Sequence, residues 1–227
     1  MTDLDERLSE PEFMDEEVQA RAYAGADFTE PHERFIEQFK TAFPHADPRH
    51  ALDLGCGPGD ITRRFARAFP NATVTGVDGA QAMLDAGREA NEAQDLGERL
   101  HFVYGRLPGA KLPRDTYDTI ISNSLLHHLE DPLVMWQCIR DYAEPGARIF
   151  VMDLLRPATR QQAQALVETY SGGEPDVLKR DFFHSLLAAY RPGEVRTQLR
   201  ACGLGDFEVR TVSDRHLIVC GCAPATW

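Results

Sequence analysis

The sequence predicts an α/β protein, a doubly wound parallel sheet with helices on both faces and helical additions at two places. Three observations carry this expectation. Short apolar runs alternate with segments of helical periodicity from residue 50 to residue 155, the pattern of parallel strands joined by helical crossovers. A glycine-rich turn, "LDLGCGPGD" at 52–60, directly follows the first of those runs. The tail "FEVRTVSDRHLIVCGC" at 207–222 reads as two strands joined at Ser213-Asp214, a connection so short that the strands must be antiparallel neighbours.

The elements follow in order. Residues 15–24 are charged and mixed and form a first helical pattern, and residues 31–43 form a second. The second places Phe35, Ile36, Phe39 and Phe43 on one face, with Pro31 suited to its first turn. After Pro44 and Pro48, "HALDLG" is a short buried strand. The helix over 59–69 turns Ile61, Phe65, Ala68 and Phe69 inward. "ATVTGVD" is a second strand and 80–94 a second crossover helix. "LHFVYG" and "YDTIISN" are the third and fourth strands. A helix near 131–143 leads to the fifth strand, "ARIFVMDLL". From Pro157 to Gly203 only helical patterns occur, near 158–170, 176–190 and 193–202, the last stopping at Gly203. The expected organisation is a helical cap over 1–44 and a main domain over 45–227, with 157–203 as a helical insertion between strands five and six. Gly172-Gly173 is a natural break within that insertion.

The net charge of −12 argues against a protein that grips nucleic acid by general electrostatics. No apolar run is long enough to span a membrane, and the acidic N-terminus has no signal-peptide character. Five scattered cysteines fit a reducing cytoplasm. Cys220-Gly-Cys222 lacks a second pair of ligands at metal-site spacing and reads as buried strand cysteines, so no metal is expected.

A glycine turn between strand and helix lets a ligand approach the backbone and the helix N-terminus without meeting a Cβ. A dinucleotide fingerprint would put its third glycine at position 60, where this chain has Asp60. The glycines are instead Gly55, Gly57 and Gly59, preceded by Asp53. An acid there disfavours a pyrophosphate and favours a ligand with a cationic group. Asp78 ends the second strand, where a carboxylate can accept from both ribose hydroxyls. A nucleoside with a free ribose and a positive tail satisfies both features, as S-adenosylmethionine does.

"LDLGCGPGD", "VTGVDGAQAML" and "YDTIISNSLLHHLEDP" together resemble the successive motifs of class I S-adenosylmethionine-dependent methyltransferases, over roughly residues 48–155. The resemblance is to the small-molecule type that includes ubiquinone and menaquinone methyltransferases. It implies a Rossmann-like seven-stranded sheet whose last strand is antiparallel, and S-adenosyl-L-methionine as cofactor. By the resemblance, Gly55, Gly57 and Gly59 line the methionine and ribose side and Asp53 orients the cofactor's amino group. Asp78 holds the ribose, Ala80 and Met83 flank the adenine, and Asn123 meets the methionine portion. The chain departs from many relatives after the third strand. "YGRLPG" stands where they carry an acid for the adenine amino group, so backbone and apolar contacts are expected to read the adenine.

A sulfonium methyl needs chiefly a nucleophile held in line. A base is required only when the acceptor must lose a proton. His127 is the candidate base or positioning donor, against the alternative of a histidine that only packs. His128, its neighbour, is a candidate substrate contact, although two adjacent side chains are expected to point different ways, one to the cleft and one to protein or solvent. Tyr23 and Phe28 from the N-terminal cap, and Tyr170 and Phe183 from the insertion, are candidate substrate contacts. Arg156 either meets a substrate carboxylate, pairs with Asp153, or is a surface charge. "SNSL" replaces the acid-or-amide, Pro-Pro, aromatic motif of base and amide N-methyltransferases, which argues against nucleic-acid amino groups. The expected partner is a small molecule, not nucleic acid or membrane, and the expected assembly is a monomer or homodimer. Two alternatives stand beside this: a methyltransferase acting on tRNA or protein or using a modified S-adenosylmethionine, and a non-catalytic binding partner.

Overall fold

The computed structural model describes residues 4, 6–9, 28–92 and 96–226. The helical pattern at 15–24 and Tyr23 lie outside them. Among the described residues there are seven strands: β1 (His50–Leu54), β2 (Thr73–Asp78), β3 (Leu100–Tyr104), β4 (Tyr117–Asn123), β5 (Ala143–Leu154), β6 (Glu208–Thr211) and β7 (His216–Cys222). The helices are α1 (Thr29–Ala42), α2 (Asp60–Ala68), α3 (Gln81–Glu92), α4 (Leu133–Tyr142), α5 (Arg160–Ser171), α6 (Asp176–Ala188) and α7 (Pro192–Ala201).

The strands form one sheet in the order β3-β2-β1-β4-β5-β7-β6. Strands β1 to β5 pair in parallel, and β7 runs antiparallel to both its neighbours. This is the Rossmann-like sheet with an antiparallel last strand. Strand β5 starts earlier than its apolar run suggests, because a register shift against β4 between Tyr117 and Thr119 lets the chain pair again at Ala143.

Side chains alternate faces along each strand, and both faces are buried. Leu52, Ile120, Ile149 and Val219 pack with Trp136 and Leu199 from α4 and α7. Ala51, Ile121, Phe150 and Ile218 pack with Phe35, Phe39 and Phe65 from α1 and α2. Phe39 is the aromatic centre of that second layer, edge-on to Phe65 at 4.9 Å and to Phe150 at 5.7 Å, an arrangement aromatic rings favour. The buried Trp136 indole donates to Gln198 Oε1 at 3.0 Å, which ties α4 to α7 without stranding a polar group.

The insertion is not one unit. Helix α7 belongs to the main core. Helices α5 and α6 form a separate apolar cluster, in which Ala163, Val167, Leu186 and Leu187 pack with Leu154 and Leu4. Cys220 is buried within β7, but Cys222 at its end is exposed. The expectation of two buried strand cysteines is thus corrected at Cys222, which shares the face of Cys220 but is the last residue of β7, where the burial runs out.

Candidate active site

The strand order reverses between β1 and β4. At such a switch point the crossovers leave in opposite directions and open a crevice at the strands' C-terminal ends. A cavity of about 610 Å³ lies at this edge, walled by the loops after β1, β2 and β4 and covered by α1, α5 and α6.

Asp53 lies in β1 and is 1% exposed. Its Oδ2 accepts from Thr62 Oγ1 at 2.6 Å, while Oδ1 is buried without a protein partner. Burial, helped by repulsion from Asp78 and opposed by the Thr62 bond, pushes the Asp53 carboxyl up to about 7. A second buried oxygen without a partner, Asn123 Oδ1, stands at the end of β4. Both residues line the cavity. Ser124 next to it holds a left-handed φ of 57°, rare outside glycine and frequent at binding sites.

Asp78 is fixed by two backbone amides, Gly57 N to Oδ2 and Ala80 N to Oδ1, each at 2.8 Å. A carboxylate oxygen has two lone pairs, so this geometry can also receive two neighbouring hydroxyls. The three loop glycines all have positive φ but face different things. A Cβ on Gly57 would meet nothing within 4 Å, and one on Gly55 would strike Leu125 at 2.7 Å. Both residues line the cavity. Gly59 does not. It is the N-cap of α2, and a Cβ there would collide with the Phe102 ring. The expectation that Gly59 lines the cofactor is corrected, since its missing side chain makes room for β3. Ala80 and Met83 are buried and line the cavity, as does the divergent Gly105-Arg106-Leu107 stretch.

On the other side of the cavity His127 is 2% exposed. Its Nδ1 lies 2.7 Å from Asp153 Oδ1. Asp153 also accepts from the amides of Leu126 at 2.8 Å and Leu154 at 2.7 Å. The expectation that only one of the two adjacent histidines faces the cleft is corrected: His128, the substrate candidate, and His127 both line the cavity, with ring centroids 4.2 Å apart. Phe28 and Tyr170 line it as well. The Tyr170 hydroxyl donates to Asp214 Oδ2 at 2.8 Å, and the Arg215 guanidinium lies 3.3 Å from the Tyr170 ring centroid.

Two candidates fall elsewhere. Phe182 and Phe183 both pack against the α5–α6 cluster, but only Phe182 also lines the cavity, because one helical step turns the side chain by about 100°. Arg156 does not line the cavity. It is 3% exposed and holds Glu194 through Nη2 at 2.6 Å and Nη1 at 3.1 Å, and also donates to the Ala189 carbonyl at 3.0 Å. The substrate-carboxylate expectation is replaced by a fork–carboxylate tie between β5 and α7. Tyr23 lies outside the described residues.

Sequence reasoning did not assign roles to Asp153, Arg215 or His216. Asp153 left a signal, a lone acid inside the apolar run "IFVMDLL". Arg215 and His216 left none, because they follow an ordinary hairpin turn. His216 is buried in the cavity wall, and burial together with Arg215 pushes its imidazole down to about 4. It is therefore a neutral hydrogen-bonding group at neutral pH.

Residues 51–146 match the family described as "Methyltransferase domain". That stretch of the chain carries a methyltransferase domain. The methyltransferase is 26% identical over 150 residues to an uncharacterized methyltransferase of Mycobacterium tuberculosis, covering 66% of this chain and 73% of that one. It is 32% identical over 103 residues to trans-aconitate 2-methyltransferase of Streptomyces avermitilis, which spans 45% of this chain and 38% of that one. Among solved structures, the plantazolicin methyltransferase BpumL with S-adenosylhomocysteine and a triazolic desmethyl-plantazolicin analogue superposes with a TM-score of 0.69. Its identity is 13%, over 91% of this chain and 90% of that one, so this likeness is one of fold. The residues lining the cavity fit S-adenosylmethionine. Orphaned buried oxygens suit an ammonium group, a doubly anchored carboxylate suits two hydroxyls, and the backbone is open at Gly57.

Proposed function

We propose that this methyltransferase acts on a small-molecule acceptor at O, N, S or C by in-line displacement, with His127 as the base for an acceptor that must lose a proton. When bound, S-adenosylmethionine supplies an electrophilic methyl group. The chain's own residues do the rest. Asp53 and Asn123 receive the amino-acid end, Asp78 receives the ribose hydroxyls, and Ala80 and Met83 flank the adenine. Gly55 and Gly57 keep the loop clear of side chains. Phe28 and helix α1 form the cap, and α5–α6 the lid, bringing Phe28, Tyr170 and Phe182 over the acceptor beside His128.

The observation that carries the base is the buried His127–Asp153 contact on the cavity wall. With Asp153 as acceptor, Nδ1 carries the hydrogen and Nε2 is the basic nitrogen, and Asp153 stabilises the imidazolium that forms. The test begins with a panel of phenols, thiols, amines and carboxylic acids, read by S-adenosylhomocysteine release. With an accepted compound, His127→Asn should lower kcat by about 10²-fold or more and leave S-adenosylmethionine affinity unchanged. An unchanged kcat from pH 6 to 9 sinks the base.

A second reading, transfer to a carboxylate, is favoured by Arg215 and His216 in the cavity wall and by the relative named for trans-aconitate. A carboxylate is already ionised and needs no base. Under that reading carboxylic acids alone are methylated and His127→Asn acts mainly on KM. Five free cysteines support residence in a reducing cytoplasm. No helix among the described residues is long and apolar enough to cross a membrane.

A further inference from the structure

The turn Leu126–His128 that carries His127 is gripped at two points. Asp153 holds its beginning, through the Leu126 amide and the His127 ring. Its end is held by a residue from the other end of the chain. Arg7 Nη2 donates to the carbonyls of His127 at 2.7 Å and Leu129 at 3.0 Å. The same guanidinium donates through Nε to the carbonyl of Ala188, the last residue of α6, at 2.6 Å. Its Cζ lies 4.5 Å from the Tyr190 ring centroid. The segment around Arg7 is itself docked. Leu4 is buried, its amide donates to Ala158 at 2.9 Å, and its carbonyl accepts from Arg191 at 2.8 Å. The Leu8 amide donates to Leu187 at 3.2 Å.

We propose that Arg7 is a positioning residue for His127, joining the turn that carries the imidazole to the C-terminal end of α6. The N-terminal segment and the helical insertion then set the ring's place together. This rests on the reading of His127 as the base. Carbonyls at the end of a short helical turn have no intrahelical donors. The Arg7 guanidinium answers two of them, and the Ala188 carbonyl at the end of α6, at once with charge-assisted bonds in a fixed plane, a geometry an ammonium does not offer. A His127 backbone free to shift would carry the ring off its line to the acceptor, and displacements of about 1 Å cost about 10²-fold in rate. The docking also makes the lid and the catalytic turn a single unit, so that motion of α6 is felt at His127.

The test needs no acceptor. Histidine-¹⁵N-labelled full-length enzyme saturated with S-adenosylhomocysteine is observed by NMR. The hydrogen-bonded imidazole proton of His127 is assigned by its loss in His127→Asn. Arg7→Ala should shift this resonance and speed its exchange with solvent by about tenfold or more, the consequence of losing charge-assisted bonds, while S-adenosylhomocysteine affinity stays within about twofold. Arg7→Lys, which keeps the charge but not the fork, should fall between the two. It carries the test if Arg7→Ala does not fold. A resonance and exchange rate unchanged in the folded variants overturn the proposal and leave the base assignment standing. An active His127→Asn enzyme overturns the base and leaves the tether measurable.

Discussion

The two halves of the cavity are built by different means. The half assigned to S-adenosylmethionine is made of strand ends and the turns directly behind them. Asp53 and Asp78 lie in β1 and β2, Asn123 ends β4, and Gly57 is bonded to Asp78 across the loop. Backbone ladders of neighbouring parallel strands hold these positions in register. The half assigned to the acceptor is assembled from α1, the Leu126–His128 turn, α5, α6 and the start of β7. Side-chain contacts join it, among them Tyr170 to Asp214, Arg215 over Tyr170, and Arg215 to Glu30 at 3.6 Å. The first half is rigid because the sheet makes it so. The second rests on side-chain contacts that can change without disturbing the first.

The contrast can be broken by substitution. The largest effect is expected at the sheet end. Asp78→Ala removes the acceptor of two backbone amides as well as the ribose partner, and each lost bond to a charged group costs about 1.5–3 kcal/mol. Affinity for S-adenosylmethionine by calorimetry should fall by about 10²-fold or more. A loss under about threefold would mean that the loop holds the cofactor without its carboxylate, and the rigid-half picture would fail.

A smaller effect sharpens the electrostatics of the same half. The carboxyl of Asp53 is raised to about 7, well above its value in an unfolded chain. In the ligand-free enzyme the native state therefore holds a proton that the unfolded state has released between about pH 4 and 7, and stability falls as pH rises through that window. A bound ammonium favours the ionised carboxylate, so binding releases that proton. Apparent affinity should rise about tenfold from pH 5.5 to 7, below the range in which an α-amino group loses its own proton. Asp53→Asn should bind more weakly and show a flat profile. A flat profile in the unaltered enzyme would place the Asp53 carboxylate already ionised.

The smallest effect belongs to the other half. Tyr170→Phe deletes only the exposed hydroxyl bond to Asp214, and its signature should be a two- to fivefold rise in acceptor KM. S-adenosylmethionine affinity should stay within about twofold. A matching loss of cofactor affinity would show that the halves are coupled.

The same contrast governs what could be read in advance. The places of Asp53, Gly57 and Asp78 at the cavity were legible because strand, turn and side chain lie within a few residues, so spacing carries position. Strand β7 was legible as an antiparallel partner of β6 because so short a connection, residues 212–215, leaves no other pairing. Phe183 and Phe182 were not separable, since which of two neighbouring aromatics faces the cavity depends on how α6 is rotated against Leu154. Arg156 was not assignable, since its partner Glu194 is 38 residues away. Gly59 was grouped with its neighbours by spacing, although the Phe102 ring behind it comes from β3.

The sequence by itself determined the order of strands and helices, the antiparallel end of the sheet, and the acids and glycines at the donor edge. These follow from periodicity and local backbone chemistry, which act within a turn or a strand. Only the tertiary structure decided that His127 is held by Asp153, that Arg156 serves the scaffold, and that Arg7 reaches the turn of the proposed base. Each of those depends on packing between segments far apart in the chain, where many side chains have suitable chemistry and only the folded geometry selects the pair that meets.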